Sequence, residues 1–326
     1  MADGREEFET IRQIHTVLVL HFMDGMKQND IAAALNLSPS KVNRLIAQGR
    51  KLGMVKIAIE SPFQLLVDIE RQLAEFAGLA NAVVTPTVIG SPDSTLQQVG
   101  RAAAYQLLET LRDGDVIAIT GGKAVSAVVE NIQAERTFDI TVVPLTGGVQ
   151  GKHYTDVNHL ATRLSERLGG STLLLHAPLF AESPKQRDLL MDMASVRKVF
   201  DVARNAAVAL VGIGSIQNPG SSYYDLHPTS SPDRETLLES GAVGEFLAHL
   251  IREDGTIADY PPNSCLVALN PDDLARCRVV MGVASGVEKV RPIRAALNGG
   301  YVKSLVVDED TANAVLNNTG SIRNVA

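Results

Sequence analysis

Hydrophobic positions along this chain follow two different rhythms, and the change falls near residue 60. In "IRQIHTVLVLHFMD" (11–24), Ile11, Ile14, Val17, Leu18 and Phe22 sit near helical spacing, and Gly25 is a stop signal. A second helix is predicted from about Lys27 to Leu35, with Ile31, Ala32 and Leu35 on its inner face. The chain then breaks at Asn36-Leu37. A third helix restarts at Ser38, a good N-cap, with Pro39 at the first helical position, where its missing N–H is harmless. Val42, Leu45 and Ile46 point inward from this helix, leaving Ser38, Ser40, Lys41, Asn43 and Arg44 outward near its start, with Arg50 and Lys51 at its end. "GMVKIAIES" (53–61) alternates apolar and polar residues and reads as a short strand or wing.

Pro62 opens a further helical pattern to Gly78, "PFQLLVDIERQLAEFAG", with an apolar stripe at Leu65, Leu66, Ile69, Leu73 and Phe76. It is read as a linker helix that either packs on its own domain or pairs with a copy of itself. From residue 80 the rhythm changes. Short apolar runs at 81–86, 115–120, 140–145, 171–178, 206–214, 265–270, 277–285 and 303–310 read as strands. Helical patterns at 94–111, 123–132, 156–168 and 184–203 lie between them. Near-continuous Val/Ile/Leu strands alternating with helices predict a largely parallel sheet covered on both faces. The expected fold class is α/β: an N-terminal winged helix-turn-helix domain (1–60), then a doubly wound domain (61–326) that includes the linker helix at 62–78.

Composition changes this picture little, but charge changes it more. Of 326 residues, 45% are hydrophobic and 21% charged, which suits a globular protein with a sizeable core. Cys265 and Cys277 are too few for a disulfide framework and lack metal-ligand spacing, so a reducing cytoplasm is expected. The charged, acidic start "MADGREEFET" is no signal peptide, and no apolar run is long enough to span a bilayer. The net charge is −7, yet residues 38–56 hold five basic residues (Lys41, Arg44, Arg50, Lys51, Lys56) and no acidic one. Residues 1–60 carry 8 Lys/Arg against 7 Asp/Glu, whereas 61–326 carry 22 against 30. The patch suits a polyanion and the rest of the chain would repel one.

A short helix, a tight turn and a polar, basic second helix make a helix-turn-helix. Its second helix is expected in the DNA major groove, with N-terminal side chains at base edges and basic residues at phosphates. An ordinary helical hairpin with a solvated charged face is the bland alternative. In the second domain, ligands are expected beyond the C-terminal ends of the strands. The loops there are "TGGKA" (120–124), "LTGGVQG" (145–151), "HAPL" (176–179), "GIGS" (212–215) and "ASGVEK" (284–289). Glycine lets backbone N–H groups approach a ligand, a helix N-terminus adds positive potential, and Lys123 and Lys289 add charge for a phosphate. Taken singly, a glycine after a strand usually just makes a turn. Asp156, Asn158 and Glu245 are candidate sugar contacts, with His153, Tyr154, His159 and His227 near the same loops. A helix cap is the competing reading of Asp156. No dinucleotide or nucleoside-triphosphate signature, metal spacing or G-x-S-x-G elbow occurs, so no cofactor, metal or catalytic residue is assigned.

With both halves in view, the chain resembles the SorC family of sugar-responsive bacterial transcription regulators, from Ile11 to about Asn317. "GVASGVEKVRPIRAALNGGYVKSLVVDEDTANAVL" (282–316) carries most of the likeness. "PLTGGVQG", "NHLATRLSERLGG" (158–170), "GIGSI" (212–216), "GAVGEF" (241–246) and the N-terminal "IAAALNLSPSKVNRLIAQGRKLGMVKI" add to it. The resemblance implies an effector domain similar to sugar-phosphate isomerases and deaminases, a sugar, polyol or sugar-phosphate effector, double-stranded operator DNA as partner, and a homo-oligomer, commonly a tetramer. It maps a phosphate loop onto Thr120, Gly121, Gly122, Lys123 and Ala124, where this chain has Lys123-Ala124 in place of the family's frequent Thr or Ser. It maps the second glycine loop onto Thr146, Gly147 and Gly148, the acidic position of "GAVG-D/E" onto Glu245, and the lysine of "EK" onto Lys289. The expected function is a regulator of a carbohydrate or polyol operon whose operator affinity is set by the effector. A sugar-phosphate isomerase or deaminase, with Asp156 or Glu245 as base, is the alternative reading, and a scaffold that only oligomerises is the third.

Overall fold

The fold comes from a computed structural model that describes residues 3–55, 64–149, 151–217, 222–225 and 234–317. The chain divides between Gln64 and Leu65 into two compact units.

The first unit is helical: α1 (Asp3–Phe22), α2 (Gln28–Ala34) and α3 (Pro39–Lys51). Ile14, Val17, Leu18, Ile31, Ala32, Val42, Leu45 and Ile46 are buried together as its core. The turn into α3 is built by Asn36, whose φ of +52° lies in the left-handed region that asparagine tolerates better than most residues. The Leu37 N–H closes the turn on the Ala32 carbonyl at 2.8 Å. Ser38 caps α3, its Oγ accepting from the Lys41 N–H at 3.2 Å, with Pro39 in the first turn. Of the α1 residues at helical spacing, Ile11 is 44% and Phe22 39% exposed. Ile14, Val17 and Leu18 suffice to cover a core that only two short helices share. The expected wing falls mainly on residues 56–61, outside the described residues, and Gly53–Val55 carry no strand.

The second unit runs α4 (Gln64–Ala77), β1 (Asn81–Thr85), α5 (Pro92–Thr110), β2 (Val116–Ile119), α6 (Lys123–Asn131), β3 (Thr141–Pro144), α7 (Val157–Leu168) and β4 (Ser171–Thr172). It continues through α8 (Pro184–Asp192), α9 (Ala194–Arg204), β5 (Val208–Ser215), α10 (Ser222–Asp225), α11 (Arg234–Glu239), β6 (Ala242–Phe246) and β7 (His249–Arg252). It ends with β8 (Val279–Val283), α12 (Val290–Asn298), β9 (Ser304–Asp308) and α13 (Glu309–Asn317). The main sheet is parallel, in the order β1-β9-β8-β5-β2-β3-β4. Successive strand residues serve opposite faces: Ile117 and Ile119 of β2 belong to one core and Ala118 to the other, as do Val208 and Leu210 against Ala209 and Val211 in β5. Burial on both sides explains the unbroken apolar strands. Leu66, Ile69 and Leu73 place α4 in one of these cores.

The α/β reading holds, with local corrections. The run 171–178 supplies a strand only at Ser171–Thr172. The run 265–270 is no strand: Leu266, Val267, Ala268 and Leu269 are buried, but Leu266 and Ala268 make only single bridges to Phe180 and Thr146. Its apolarity reflects burial over the strand ends rather than sheet pairing. The helical pattern 184–203 is two helices, broken at Met193, whose ψ of 130° is not helical. The hairpin β6–β7, which pairs antiparallel with the last three residues of β5, was not predicted.

Candidate functional sites

On the first unit, α3 presents the expected face. Ser38, Ser40, Asn43, Arg44, Arg50 and Lys51 are exposed and Lys41 half-buried, while Val42, Leu45, Ile46 and Gly49 turn inward. Lys41 and Arg44 lie one turn apart beside Ser40 and Asn43. Arg50 is set back, its guanidinium 5.5 Å from the centre of the Phe22 ring. That contact gives the half-exposed Phe22 a role in fixing a cation at the helix end.

On the second unit, strand order reverses at the β2/β5 junction. β2 leads outward through β3 and β4, and β5 leads the other way through β8 and β9. A crevice at the C-terminal ends of these strands is where ligands of such sheets bind. A narrow cavity of about 30 Å³ lies there, lined by Thr120, Gly121, Gly122, Thr146, Gly147, Thr155, Leu179, Glu245 and Ala248.

The loop after β2 is held from both sides. The Gly212 N–H donates to Thr120 Oγ1 at 3.2 Å, and the Gly122 N–H to the Tyr154 carbonyl at 2.6 Å. α6 then starts at Lys123, and the first turn of an α-helix directs N–H groups out of its N-terminal end. The second glycine loop is backbone scaffolding. Gly147 N–H donates to Val267 O at 2.7 Å and Gly148 N–H to Ala177 O at 2.9 Å. A side chain at Gly147 would run into the Pro178 carbonyl, so the close approach of these two loops requires glycine.

Asp156 and Asn158 are engaged in the same way. Asp156 caps α7, its Oδ1 accepting from the Asn158 and His159 N–H groups at 3.0 and 3.2 Å. Asn158 donates from Nδ2 to Leu175 O at 2.9 Å and accepts the Leu175 N–H at 3.0 Å, which fixes the chain after β4. Neither lines the cavity. His227 lies outside the described residues.

Glu245 gives the cavity its charged end; Lys289 does not line it, although its charge acts on Glu245. Glu245 Oε1 accepts the Ala248 N–H at 2.7 Å. Its carboxylate fills the space over Gly214, where any side chain would collide with it. Lys289 Nζ donates to the Ile213 carbonyl at 2.6 Å, one residue away on β5. Burial raises the Glu245 carboxyl above its ordinary value, opposed by the Ala248 N–H and the Lys289 charge. Burial lowers the Lys289 ammonium, opposed by the Glu245 and Glu288 carboxylates. Each of the two buried groups thus favours the charged form of the other against the effect of burial.

Sequence reasoning missed two wall residues, Thr155 and Ala248, took Leu179 only as the last residue of the HAPL loop, and missed a polar strap beside the glycine loop. Asp225 accepts from Lys152 Nζ at 2.9 Å and from the Tyr154 hydroxyl at 2.8 Å. Lys123 and Lys152 each place Nζ 5.6 Å from the centre of the Tyr154 ring. Burial works to raise the Asp225 carboxyl, but its bonds to Lys152 and Tyr154 and the nearby Lys123 charge hold it below the usual value. The run of His153, Tyr154 and Lys152 was a signal, but nothing in sequence ties it to a residue 70 positions on. Among the described residues no group of three or more His, Cys, Asp or Glu side chains is placed to hold a metal ion, and no helix is long and apolar enough to cross a membrane.

Comparison with known proteins bears on both units. Residues 61–317 match the Sugar-bind family, a sugar-binding domain, and residues 15–52 match region 4 of sigma-70. The chain is 30% identical over 303 residues to the erythritol catabolism regulatory protein EryD of Brucella abortus, covering 91% of this chain and 94% of that one. It is 30% identical over 299 residues to the transcriptional regulator LsrR of Klebsiella pneumoniae, covering 91% and 90%. The crystal structure of the full-length sorbitol operon regulator SorC from Klebsiella pneumoniae superposes with a TM-score of 0.73 at 27% identity, covering 94% of this chain and 98% of that one.

Proposed function

The chain belongs to the SorC family of sugar-responsive transcription regulators, and from that premise we propose how its two sites work. It is a DNA-binding regulator of a carbohydrate or polyol operon, and a sugar-type effector controls its hold on DNA. It is a regulator rather than an enzyme, as its relatives' names state of them. The isomerase or deaminase reading also has the weaker chemistry: Asp156, one of its two candidate bases, is occupied as a helix cap.

One observation carries the reading. A single chain joins an acid-free, outward-facing helix to a glycine-lined cavity at a sheet's switch point, and that cavity ends in a buried carboxylate. α3 enters the major groove, with Ser38, Ser40, Lys41, Asn43 and Arg44 at base edges and nearby phosphates, and Arg50 and Lys51 on the backbone. The effector lies in the cavity with Glu245 accepting from its hydroxyl groups and Lys289 beside it. A phosphorylated effector places its phosphate at the start of α6, where the N–H groups of Lys123 and Ala124 and the helix dipole favour an anion. Thr120, Gly121, Gly122, Thr146 and Gly147 line the cavity, and Gly148 holds the second loop from outside the lining. Asp156 and Asn158 support it from behind. Two relatives are named for polyols, erythritol and sorbitol, which supports a polyol or its phosphate here.

Control follows from linkage. An effector that binds one arrangement of the protein better shifts the population toward it, and DNA affinity changes by the same coupling, typically about 1–3 kcal/mol. The protein works in the cytoplasm as a homo-oligomer, with a tetramer as the expected state; light scattering on the purified chain measures it.

The test is fluorescence anisotropy on DNA fragments from upstream of the protein's own gene, with and without a panel of sugars, polyols and their phosphates. At least one compound should change operator affinity fivefold or more, about the lower bound of ordinary coupling. No binding to duplex DNA at low salt under any condition would overturn the reading.

A further inference from the structure

The turn between β6 and β7 is unusual. Leu247 and Ala248 both have left-handed backbones, with φ of +52° and +64°. Two-residue hairpin turns of this kind favour Asn-Gly or Gly-Gly, because a side chain at positive φ is strained. Here neither residue is Gly, Asn or Asp, and both are buried, Leu247 at 0% and Ala248 at 6% exposure. Strain kept at a buried turn points to function when the turn also touches a site. This one does. Ala248 lines the cavity, and its N–H holds the Glu245 carboxylate at 2.7 Å. The Ala248 methyl packs with Leu179, Leu266 and Ala268, and Leu179 is also a wall residue. Beside the Glu245 carboxylate, Ala248 and Leu179 therefore supply the apolar side chains of the lining. The enclosed part of the cavity is only about 30 Å³, so an effector places one end there, against Glu245, and the rest of its length outside. In a space that small, one methyl group in the wall decides what enters.

We propose that Ala248 is the specificity-determining residue of this pocket, setting the size of effector that can lie against Glu245. This inference rests on the effector reading of the cavity given above. Ala248 has two separable roles. Its N–H orients the Glu245 carboxylate, and glycine would keep that bond. Its methyl limits the space beside the carboxylate, and glycine would remove it. Glycine also adopts φ of +64° without strain, so Ala248→Gly is expected to fold.

The test uses the full chain as wild type, Ala248→Gly and Ala248→Val. Each is titrated by calorimetry with straight-chain polyols and matching aldoses of three to six carbons, and with their monophosphates. Wild type should prefer one chain length. Ala248→Gly should shift the ratio of affinities between that length and the next longer compound by about tenfold, the range that one carbon unit is worth in a pocket. Ala248→Val, a branched side chain at positive φ, should lose effector binding, and its duplex-DNA binding at low salt with its far-UV spectrum reports whether it has stayed folded. If Ala248→Gly binds the same compounds with unchanged ratios, the specificity role is overturned and the pocket assignment stands. If a folded Ala248→Val binds like wild type, the role is likewise overturned. If wild type binds none of the series, the pocket assignment fails, and this inference falls with it.

Discussion

The two sites of this protein are built on opposite plans. In the helical unit the candidate DNA contacts are exposed side chains on one helix, carried by a small core that uses other positions. In the α/β unit the candidate effector residues come from five parts of the chain, at loops and the ends of helices and strands, and most of their polar groups already serve the fold. Asp156 caps a helix, Asn158 pins the chain after β4, Thr120 accepts a strand N–H, and Gly147 and Gly148 bond to neighbouring backbone. A surface reader can be altered without unfolding anything. A pocket made of scaffold cannot, so changes there affect stability and binding together.

Substitutions can break or sharpen that contrast. The largest effect is expected from Gly147→Val, which drives a branched side chain into the Pro178 carbonyl. It should destabilise the α/β unit by about 3 kcal/mol or more, measured by chemical denaturation. A normal melting curve would mean that these loops are less constrained than the geometry requires.

The second effect is acid sensitivity at His249. Burial lowers its ring to about 4 from 6.5, and its Nδ1–H donates to the Leu247 carbonyl at 2.9 Å. The fold favours the neutral ring, so the unfolded chain takes up the proton first. Stability from this group is complete above pH 6.5 and is lost as pH falls toward 4, by up to about 3 kcal/mol. His249→Leu should flatten that part of the pH profile relative to wild type. Parallel profiles for the two proteins would remove His249 as the cause.

Third, Lys41→Ala combined with Arg44→Ala should weaken operator binding by about 2 kcal/mol and lower the salt slope by up to about two ion equivalents. Effector-induced thermal shifts should be unchanged, since both residues are on the other unit. Unaltered operator affinity would exclude α3 as the reader. Smallest, Ser38→Ala removes the cap on α3 and should cost about 1 kcal/mol in the stability of the helical unit. An effect confined to DNA binding would instead mark Ser38 as a contact.

The sequence was most legible where the physics is local. The caps at Ser38 and Asp156, the proline at the start of α3 and the inward set Val42, Leu45 and Ile46 follow from helical period and backbone hydrogen bonding. The parallel strands were readable because burial on both faces removes polar positions. Legibility ended where one signal has two causes. The apolar run 265–270 looks like a strand, but its hydrophobicity comes from covering strand ends. The pattern 184–203 looks like one helix because the period carries across the break at Met193. Glu245 was named as a candidate sugar contact; the hairpin that presents it was not predicted, because its turn lacks the Gly or Asn that marks such turns.

By itself, then, the sequence determined the fold class, the acid-free helix and the glycine-rich loops, since these depend on neighbours within a few residues. Only the tertiary structure decided which of those loops meet. It set Glu245 over Gly214 and one residue from the carbonyl that takes Lys289, brought Asp225 to Lys152 and Tyr154, and put Ala248 and Leu179 in the cavity wall. Those contacts join residues 30 to 130 positions apart, and their geometry is fixed by strand order and register, which no local pattern encodes.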